Sequence, residues 1–309
     1  MVLRWQRRTS ILRSPMSTGV ERSAGRFHFN RDELTPLAEA RREAYATARP
    51  FPHAVIDDFL PPGVLDEVLD EFPTPEQAEW FAFDSPRERK LATTEETPLG
   101  EATRHVLAEL NSAPVLDFLE GLTGIQGLVP DPHFVGGGLH QIERGGHLKV
   151  HADFNRHPHT DLERRINLLV YLNRDWKDEY GGALELWSRD MAACEARILP
   201  IFNRCVVFST TSTSFHGHPE PLNCPEDRTR RSIALYYYSK APPPENEDAA
   251  HNTLFQRRPG EEFQTELEQP PPDDAPTNGG LRQRLRAGAR QVLPPILVEA
   301  IRRRRALRE

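Results

Sequence analysis

Three side chains in the middle of the sequence could together bind one metal ion: His151, Asp153 and His216. Successive side chains of an extended strand point to opposite faces, so His151 and Asp153 would project in the same direction, about 7 Å apart along the backbone. A histidine from a distant strand would complete a set of two imidazoles and one carboxylate. Such a set suits Fe(II) and leaves coordination positions open for a co-substrate and dioxygen.

Other histidines compete for the third position, and spacing alone does not choose among them. His218 lies two residues beyond His216, so the two would share a face on an extended chain. The remaining histidines near these residues are interpreted as loop or pocket residues; they are His140, His147, His157 and His159. Cys205 and Cys224 have no CxxC partner, so a zinc site is only weakly supported.

A second group of residues could bind a carboxylate. Arg230 and Ser232 lie two apart at the start of a strand-like run, on one face. A guanidinium there can bind a carboxylate through two hydrogen bonds, and the hydroxyl can add a third. Tyr171, at the end of an apolar run, could reach the same carboxylate, whereas Arg231 is the alternative to Arg230.

Short β-rich runs separated by turn residues would position these side chains. This texture begins near His133 and is typical of an all-β sandwich or barrel. The candidate strands are 138–144, 148–153, 165–172, 183–187, 196–198, 204–210 and 232–239. With their spacing, about eight strands are expected, which is the number in a jelly roll.

Helices are predicted before this region. The segments 31–48, 64–72 and 101–122 have helical composition or helical spacing of apolar residues, and a short strand is expected within 52–60. These helices are expected to cover one face of the sheet. The predicted class is therefore mainly β with flanking helices (α+β).

Composition limits the size of the core and the classes of partner. A chain of 309 residues with 38% hydrophobic residues can bury one substantial core. The net charge of −7 is uneven, because both ends are rich in arginine and the middle is acidic. An acidic body excludes a nucleic-acid-binding core. Three cysteines at irregular spacing and the absence of a long apolar run predict a cytoplasmic protein without a transmembrane segment.

The two ends are predicted to lie outside the core. Residues 1–26 are interpreted as a disordered basic extension, within which Met16 is an alternative start. Residues 241–280 are interpreted as a Pro-rich acidic linker. Residues 281–309 are expected to form basic amphipathic helices that dock on the acidic body or contact a partner or an anionic membrane surface.

The region from about residue 139 to 238 resembles the Fe(II)/2-oxoglutarate-dependent dioxygenases of the prolyl 4-hydroxylase type. The matching stretches are His151-x-Asp153, the run 171–176, the strand 181–186, the distal His216, and Arg230-x-Ser232 leading into aromatics. The resemblance implies a double-stranded β-helix, a cupin-like jelly roll, with iron at its mouth. The oxygenase domain would span 27–240, with a helical part at 27–130 and the jelly-roll core at 131–240.

The resemblance also implies roles for individual residues. His151, Asp153 and His216 would be the iron ligands. Arg230 would bind the far carboxylate of 2-oxoglutarate, assisted by Ser232 and Tyr171, and the family register favours Arg230 over Arg231. Gln141 stands where a tyrosine is often found near the co-substrate, and the loop between His216 and Arg230 is long for the family. The implied cofactors are Fe(II) and 2-oxoglutarate, with ascorbate as a candidate reductant.

The implied reaction is hydroxylation of an unactivated C–H bond with release of succinate and CO2. Asp153 favours hydroxylation, because relatives that halogenate lack this carboxylate. The substrate stays open among a protein prolyl residue, an amino acid, a glycan and another metabolite, and Asn167, on the Tyr171 face, could line its pocket. Two other hypotheses are a non-catalytic metal-binding sensor and a scaffold that acts through the C-terminal helices.

Overall fold

The computed structural model describes residues 27–61, 63–78, 80–93, 99–240 and 250–263. The predicted basic extension 1–26 and the predicted helices within 281–309 lie outside the described residues. Within the described part of the chain, no helix combines the length and apolar character needed to cross a membrane. The three cysteines are free thiols.

Four helices precede the main strands, and one predicted helix is divided. α1 is Arg31–Thr47, α2 is Val64–Asp70, α3 is Glu101–Leu110 and α4 is Ala113–Thr123. The prediction of one helix over 101–122 is therefore wrong. Pro114, in the first turn of α4, has no N–H to donate to a carbonyl of the preceding turn, so the helix ends and a new one begins.

The strands of the described residues form one antiparallel sheet. Their bounds are β1 His53–Ile56, β2 Phe81–Asp84, β3 Glu88–Ala92, β4 Val129–Pro130, β5 Gly138–Ile142, β6 His147–Ala152, β7 Glu163–Tyr171, β8 Leu184–Trp187, β9 Cys194–Ile198, β10 Cys205–Ser209, β11 His216–His218, β12 Arg230–Ser239 and β13 Leu254–Phe255. The β2–β3 hairpin and the short β4, β11 and β13 were not among the predicted strands.

The sheet curls so that two halves face each other, as the predicted jelly roll requires. Its strand order is β1-β10-β7-β12-β5-β3-β6-β11-β8-β9. The unforeseen β3 joins the two halves, because it pairs with β5 near one of its ends and with β6 near the other. The halves therefore enclose an interior between β7 and β12 on one side and β6 and β11 on the other.

Alternation along β12 separates an apolar outer face from a polar inner face. Ile233, Leu235 and Tyr237 pack in the core that includes the four helices, and the Tyr237 hydroxyl donates to the Leu110 carbonyl at 2.7 Å. The intervening residues of β12, which include Arg230 and Ser232, point to the other face. The chemistry-bearing side chains thus lie inside the curl.

Part of the predicted linker belongs to the sheet. In residues 250–263, β13 pairs with β6, so that Leu254 lies opposite Ala152 and Phe255 opposite His151. The prediction that residues 241–280 form a linker outside the core is wrong for β13. Composition misled it, because Leu254 and Phe255 are two apolar residues within a Pro-rich and charged segment.

Candidate metal and co-substrate site

The structure brings His151, Asp153 and His216 together. β11 runs antiparallel to β6 with His216 opposite His151, and Asp153 follows the end of β6. One ligand atom from each residue lies within 4.8 Å of the others. The Asp153 carboxylate is 3.6 Å from His151 Nε2 and 3.4 Å from His216 Nε2. All three are positioned by strands that are far apart in sequence.

Backbone carbonyls orient both imidazoles. His151 Nδ1 donates to the Lys149 carbonyl at 2.8 Å, and His216 Nδ1 donates to the Ser214 carbonyl at 2.9 Å. A carbonyl only accepts, so each Nδ1 donates, and each Nε2 is the ring nitrogen that faces Asp153. Two imidazoles and one carboxylate are the donor set that fits Fe(II).

The electrostatics keep this set in the form that binds metal. Burial by itself would raise the pKa of Asp153, but the Arg164 guanidinium 3.0 Å away and the two histidines hold that pKa well below its usual range. Burial lowers the pKa of His216 to about 4, although the Asp153 charge opposes the change. Near neutral pH the carboxylate is therefore ionised and the His216 ring is neutral.

Arg164 is a site residue that the sequence analysis missed. Its guanidinium donates to Asn167 Oδ1, and Asn167 Nδ2 in turn donates to Asp153 Oδ2 at 2.7 Å. The guanidinium also lies 3.4 Å from the Tyr236 ring centroid and 4.5 Å from that of Phe154. An arginine two residues before the apolar run that starts at Ile166 was the available signal. Asn167, predicted to line the substrate pocket, faces the interior, but its amide is engaged in this network.

Arg230, Tyr171 and Ser232 also meet inside the curl. Arg230 is buried; its Nε donates to the Gly182 carbonyl at 2.7 Å and its Nη2 to the Tyr171 hydroxyl at 3.3 Å. Ser232 on β12 is paired with Tyr171 on β7, so their side chains share a face. Burial lowers the pKa of Arg230, and the salt bridges among the described residues do not include it.

Arg231 and Gln141 lie on the other face of the sheet. The Arg231 guanidinium is 4.9 Å from the centroid of the Phe72 ring, on the helical side. Gln141 is paired with Arg231 and accepts a hydrogen bond from Thr229 Oγ1 at 2.9 Å. The prediction of Gln141 as a co-substrate residue is contradicted, because strand alternation turns it outwards and presents His140 beside Ser232 instead.

The rival histidines have other surroundings. His140, His147 and His157 each lie next to a backbone carbonyl or a carboxylate, from Gly136, Pro86 and Asp131 respectively. The His159 ring centroid lies 5.8 Å from that of His157, with the two rings tilted by 56°. His218 is buried, and burial holds its pKa well below the usual range.

A second donor cluster, away from this site, is explained by hydrogen bonding. His28, His105 and Glu109 also lie within metal-ligand distances of one another. Glu109 Oε2 accepts from the backbone N–H groups of His28 and Phe29, at 2.7 and 3.0 Å, and Oε1 is 2.6 Å from His105 Nε2. This carboxylate holds the start of the described chain against α3.

Comparisons with known proteins give matches that centre on this region. Residues 137–238 match the family model described as 2OG-Fe(II) oxygenase superfamily. A mouse protein named prolyl 3-hydroxylase OGFOD1 is 33% identical over 79 residues, which are 24% of this chain and 14% of the mouse protein. The chain thus matches only a small part of that relative's length.

Solved structures give the architecture. The prolyl hydroxylase of Trichoplax adhaerens, determined with a fragment of hypoxia inducible factor, aligns over 67% of this chain and 91% of its own, at 19% identity and a TM-score of 0.50. A Pseudomonas putida prolyl-4-hydroxylase aligns over 66% of this chain and all of its own, at 19% identity and a TM-score of 0.48. The former likeness confirms the predicted prolyl-hydroxylase-like double-stranded β-helix.

Proposed function

We propose that this chain, whose predicted membership of the 2OG-Fe(II) oxygenase superfamily is confirmed over residues 137–238, hydroxylates a C–H bond of its substrate. The family carries with it the predicted enzyme class and the cofactors Fe(II) and 2-oxoglutarate. In the balanced reaction, one atom of O2 enters the product and the other enters succinate, with loss of CO2 from 2-oxoglutarate. The observation that supports this most is the convergence of His151, Asp153 and His216 on one point.

The residues of the chain would hold the metal in an open coordination sphere. His151 Nε2, His216 Nε2 and an Asp153 oxygen are the proposed ligands. When bound there, Fe(II) supplies the redox chemistry by which O2 and 2-oxoglutarate oxidise the substrate. Asn167 and Arg164 hold Asp153 Oδ2, so the carboxylate keeps its orientation when substrate enters.

Arg230 would bind the distal carboxylate of 2-oxoglutarate. Its guanidinium is buried and donates to a carbonyl and a hydroxyl, which carry no net charge. A buried cation without an anion is unfavourable, so a carboxylate that reaches the Arg230 guanidinium is bound strongly. Tyr171 and Ser232 present hydroxyl groups on the same face.

A prolyl residue of a peptide is the substrate that we place first. The mouse relative is named a prolyl 3-hydroxylase, and the similarity to it is a sequence similarity. The polar interior beside Asp153 offers Arg164 and Tyr236, which are stacked on each other. Amino acids, glycans and other metabolites are the alternatives that a product search distinguishes.

The test measures succinate and product together. The protein is loaded anaerobically with Fe(II) and 2-oxoglutarate, exposed to O2 with proline-containing peptides or a small-molecule extract, and analysed by mass spectrometry for products that gain one oxygen. We expect succinate and product in equal amounts, and neither from a His151→Ala, Asp153→Ala variant with an unchanged circular dichroism spectrum. Succinate formation that persists in this variant would falsify the ligand assignment. Failure of the metal-loaded protein to bind 2-oxoglutarate would favour the non-catalytic sensor.

A further inference from the structure

We infer that residues 250–263, here named the C-terminal strap, are a positioning element of the metal centre and that Phe255 is its central residue. The inference rests on the proposed function only in taking His151 as a metal ligand. The strap contacts β6 beside this histidine.

The strap completes the edge of the strand that carries His151. β3 pairs with the start of β6, at His147 and Leu148, and β13 pairs with its end, at His151 and Ala152. Between them, the Gln256 N–H donates to the Val150 carbonyl at 2.8 Å. Without the strap, the backbone groups of β6 next to the ligands would have an open edge.

Phe255 limits the movement of the His151 ring. The two ring centroids are 5.5 Å apart, and the His151 ring also lies 4.5 Å from that of His216. Phe255 is buried, and the Arg87 guanidinium lies 4.9 Å from its centroid. The His151 ring is thus held by a hydrogen bond at Nδ1, by its partner histidine and by Phe255.

Polar contacts fasten the strap on both sides of β13. Before β13, the His251 N–H donates to Asn155 Oδ1 at 2.8 Å, and its Nε2 lies 2.7 Å from Ser212 Oγ. After β13, Glu261 forms an ion pair with Lys149, the residue whose carbonyl orients His151. Arg258 adds a contact to Glu220 at 2.7 Å. Loss of a group that hydrogen-bonds to a ligating histidine commonly lowers metal affinity by about 10- to 100-fold, and the Lys149 carbonyl is such a group for His151.

The test compares two neighbouring residues of β13. Phe255 faces His151, whereas Leu254 packs on the other side with the cluster of Val150, Ala152, Trp187 and Phe215. Binding of Co(II), as a probe for the metal, is measured without 2-oxoglutarate by its visible absorption, and the melting temperature is measured without metal. We expect Phe255→Ala to weaken Co(II) binding about 10-fold and to change the spectrum. Leu254→Ala should lower the melting temperature and leave Co(II) affinity within about twofold of the wild type.

The outcomes separate this inference from the proposed reaction. If Phe255→Ala does not fold, Phe255→Leu takes its place with a smaller expected loss of affinity. Equal Co(II) affinities and spectra for the wild type and the folded Phe255 variant overturn the inference. A wild-type protein that binds Co(II) in a Phe255-dependent way and yet forms no succinate leaves the inference standing and rejects the reaction.

An independent observation concerns His218 on β11. This residue is only 4% exposed, and neither of its ring nitrogens has a hydrogen-bond partner among the described residues. A buried polar group without a hydrogen-bond partner is unfavourable. The structure therefore points to a bound ligand as the partner of this imidazole.

The position of His218 indicates which ligand. Gly217 is paired with Glu185 on β8, so His218 lies towards the start of β8, next to the loop where the Gly182 carbonyl accepts from Arg230 Nε. We propose that the imidazole N–H of His218 donates to the 2-oxoglutarate bound by Arg230. This proposal rests on the proposed function.

The test measures 2-oxoglutarate and metal binding separately. Calorimetry on Mn(II)-loaded protein should give about a 10-fold weaker dissociation constant for 2-oxoglutarate in His218→Leu and a partial recovery in His218→Gln. Mn(II) affinity should not change, and His147→Asn is the matched control. Unchanged 2-oxoglutarate affinity in His218→Leu, or an effect on Mn(II) alone, overturns this assignment. A wild type that does not bind 2-oxoglutarate rejects the proposed function instead.

Discussion

Two buried arginines on the inner face of the sheet, Arg164 and Arg230, have opposite surroundings. Arg164 lies 3.0 Å from the Asp153 carboxylate and is stacked on Tyr236. Arg230 donates to the Gly182 carbonyl and the Tyr171 hydroxyl, which carry no net charge. Both guanidiniums are taken out of water, but among the described residues only Arg164 has a carboxylate beside it.

This difference in surroundings indicates a different role for each arginine. A buried charge is tolerated when an opposite charge and hydrogen bonds replace its water. Arg164 is compensated within the folded chain, so it stabilises the fold and keeps Asp153 ionised. Arg230 has no anionic partner among the described residues, which suits the proposed binding of a carboxylate of 2-oxoglutarate.

Replacing Arg230 is expected to have the largest effect on binding. Arg230→Met should weaken 2-oxoglutarate binding by about 3–4 kcal/mol, several hundred-fold, because a buried charge-assisted contact is lost. The free energy of unfolding of the ligand-free protein should stay the same or rise. Calorimetry on Mn(II)-loaded protein measures the 2-oxoglutarate affinity, and urea unfolding measures the free energy of unfolding. Arg231→Met, on the outer face, is the control, and equal losses of affinity in the two variants would show that the assignment to Arg230 is incorrect.

Replacing Arg164 is expected to act on stability instead. Arg164→Met should lower the free energy of unfolding of the metal-free protein by about 3 kcal/mol, because Asp153 stays buried without its cation. Adding Asp153→Asn in the same protein should recover part of this loss. Urea unfolding of the wild type, the two single variants and the double variant measures these changes in stability. If Arg164→Met and Arg230→Met are equally stable, the contrast between the two arginines is lost.

His140 shows a smaller consequence of the same cationic interior. Burial, assisted by the charge of Lys90, lowers the pKa of His140 to about 3. As the pH falls, His140 therefore binds a proton near pH 6.5 in the unfolded chain but only near pH 3 in the folded protein. Stability should fall as the pH decreases through this window, by up to about 1.4 kcal/mol per pH unit from this residue.

Unfolding experiments at several pH values test the His140 prediction. The free energy of unfolding of the wild type and of His140→Asn is measured in urea between pH 7 and pH 4.5. The variant should have the shallower dependence on pH, since asparagine does not titrate. Parallel curves for the two proteins would contradict the assignment of this share of the pH dependence to His140.

The chemistry of the site was readable in the sequence wherever local spacing carries it. His151-x-Asp153 and Arg230-x-Ser232 each place two functional groups on one strand face, and the structure has each pair facing the interior. The roles of these residues as ligands stay predictions, which the succinate and calorimetry experiments test. The order of helices and short strands was also predictable from apolar periodicity, apart from the break before α4.

Tertiary structure alone decided which residues meet. The resemblance placed Gln141 near the co-substrate, but the register of β5 with β12 turns Gln141 outwards and His140 inwards. Arg164 contacts Asp153, and Phe255 lies opposite His151. The pairing of strands that brings these residues together could not be read from the sequence. The sequence by itself determined the donor groups and their faces, because these follow from local backbone geometry. The partners depend on how distant strands are packed, and only the folded sheet determines that.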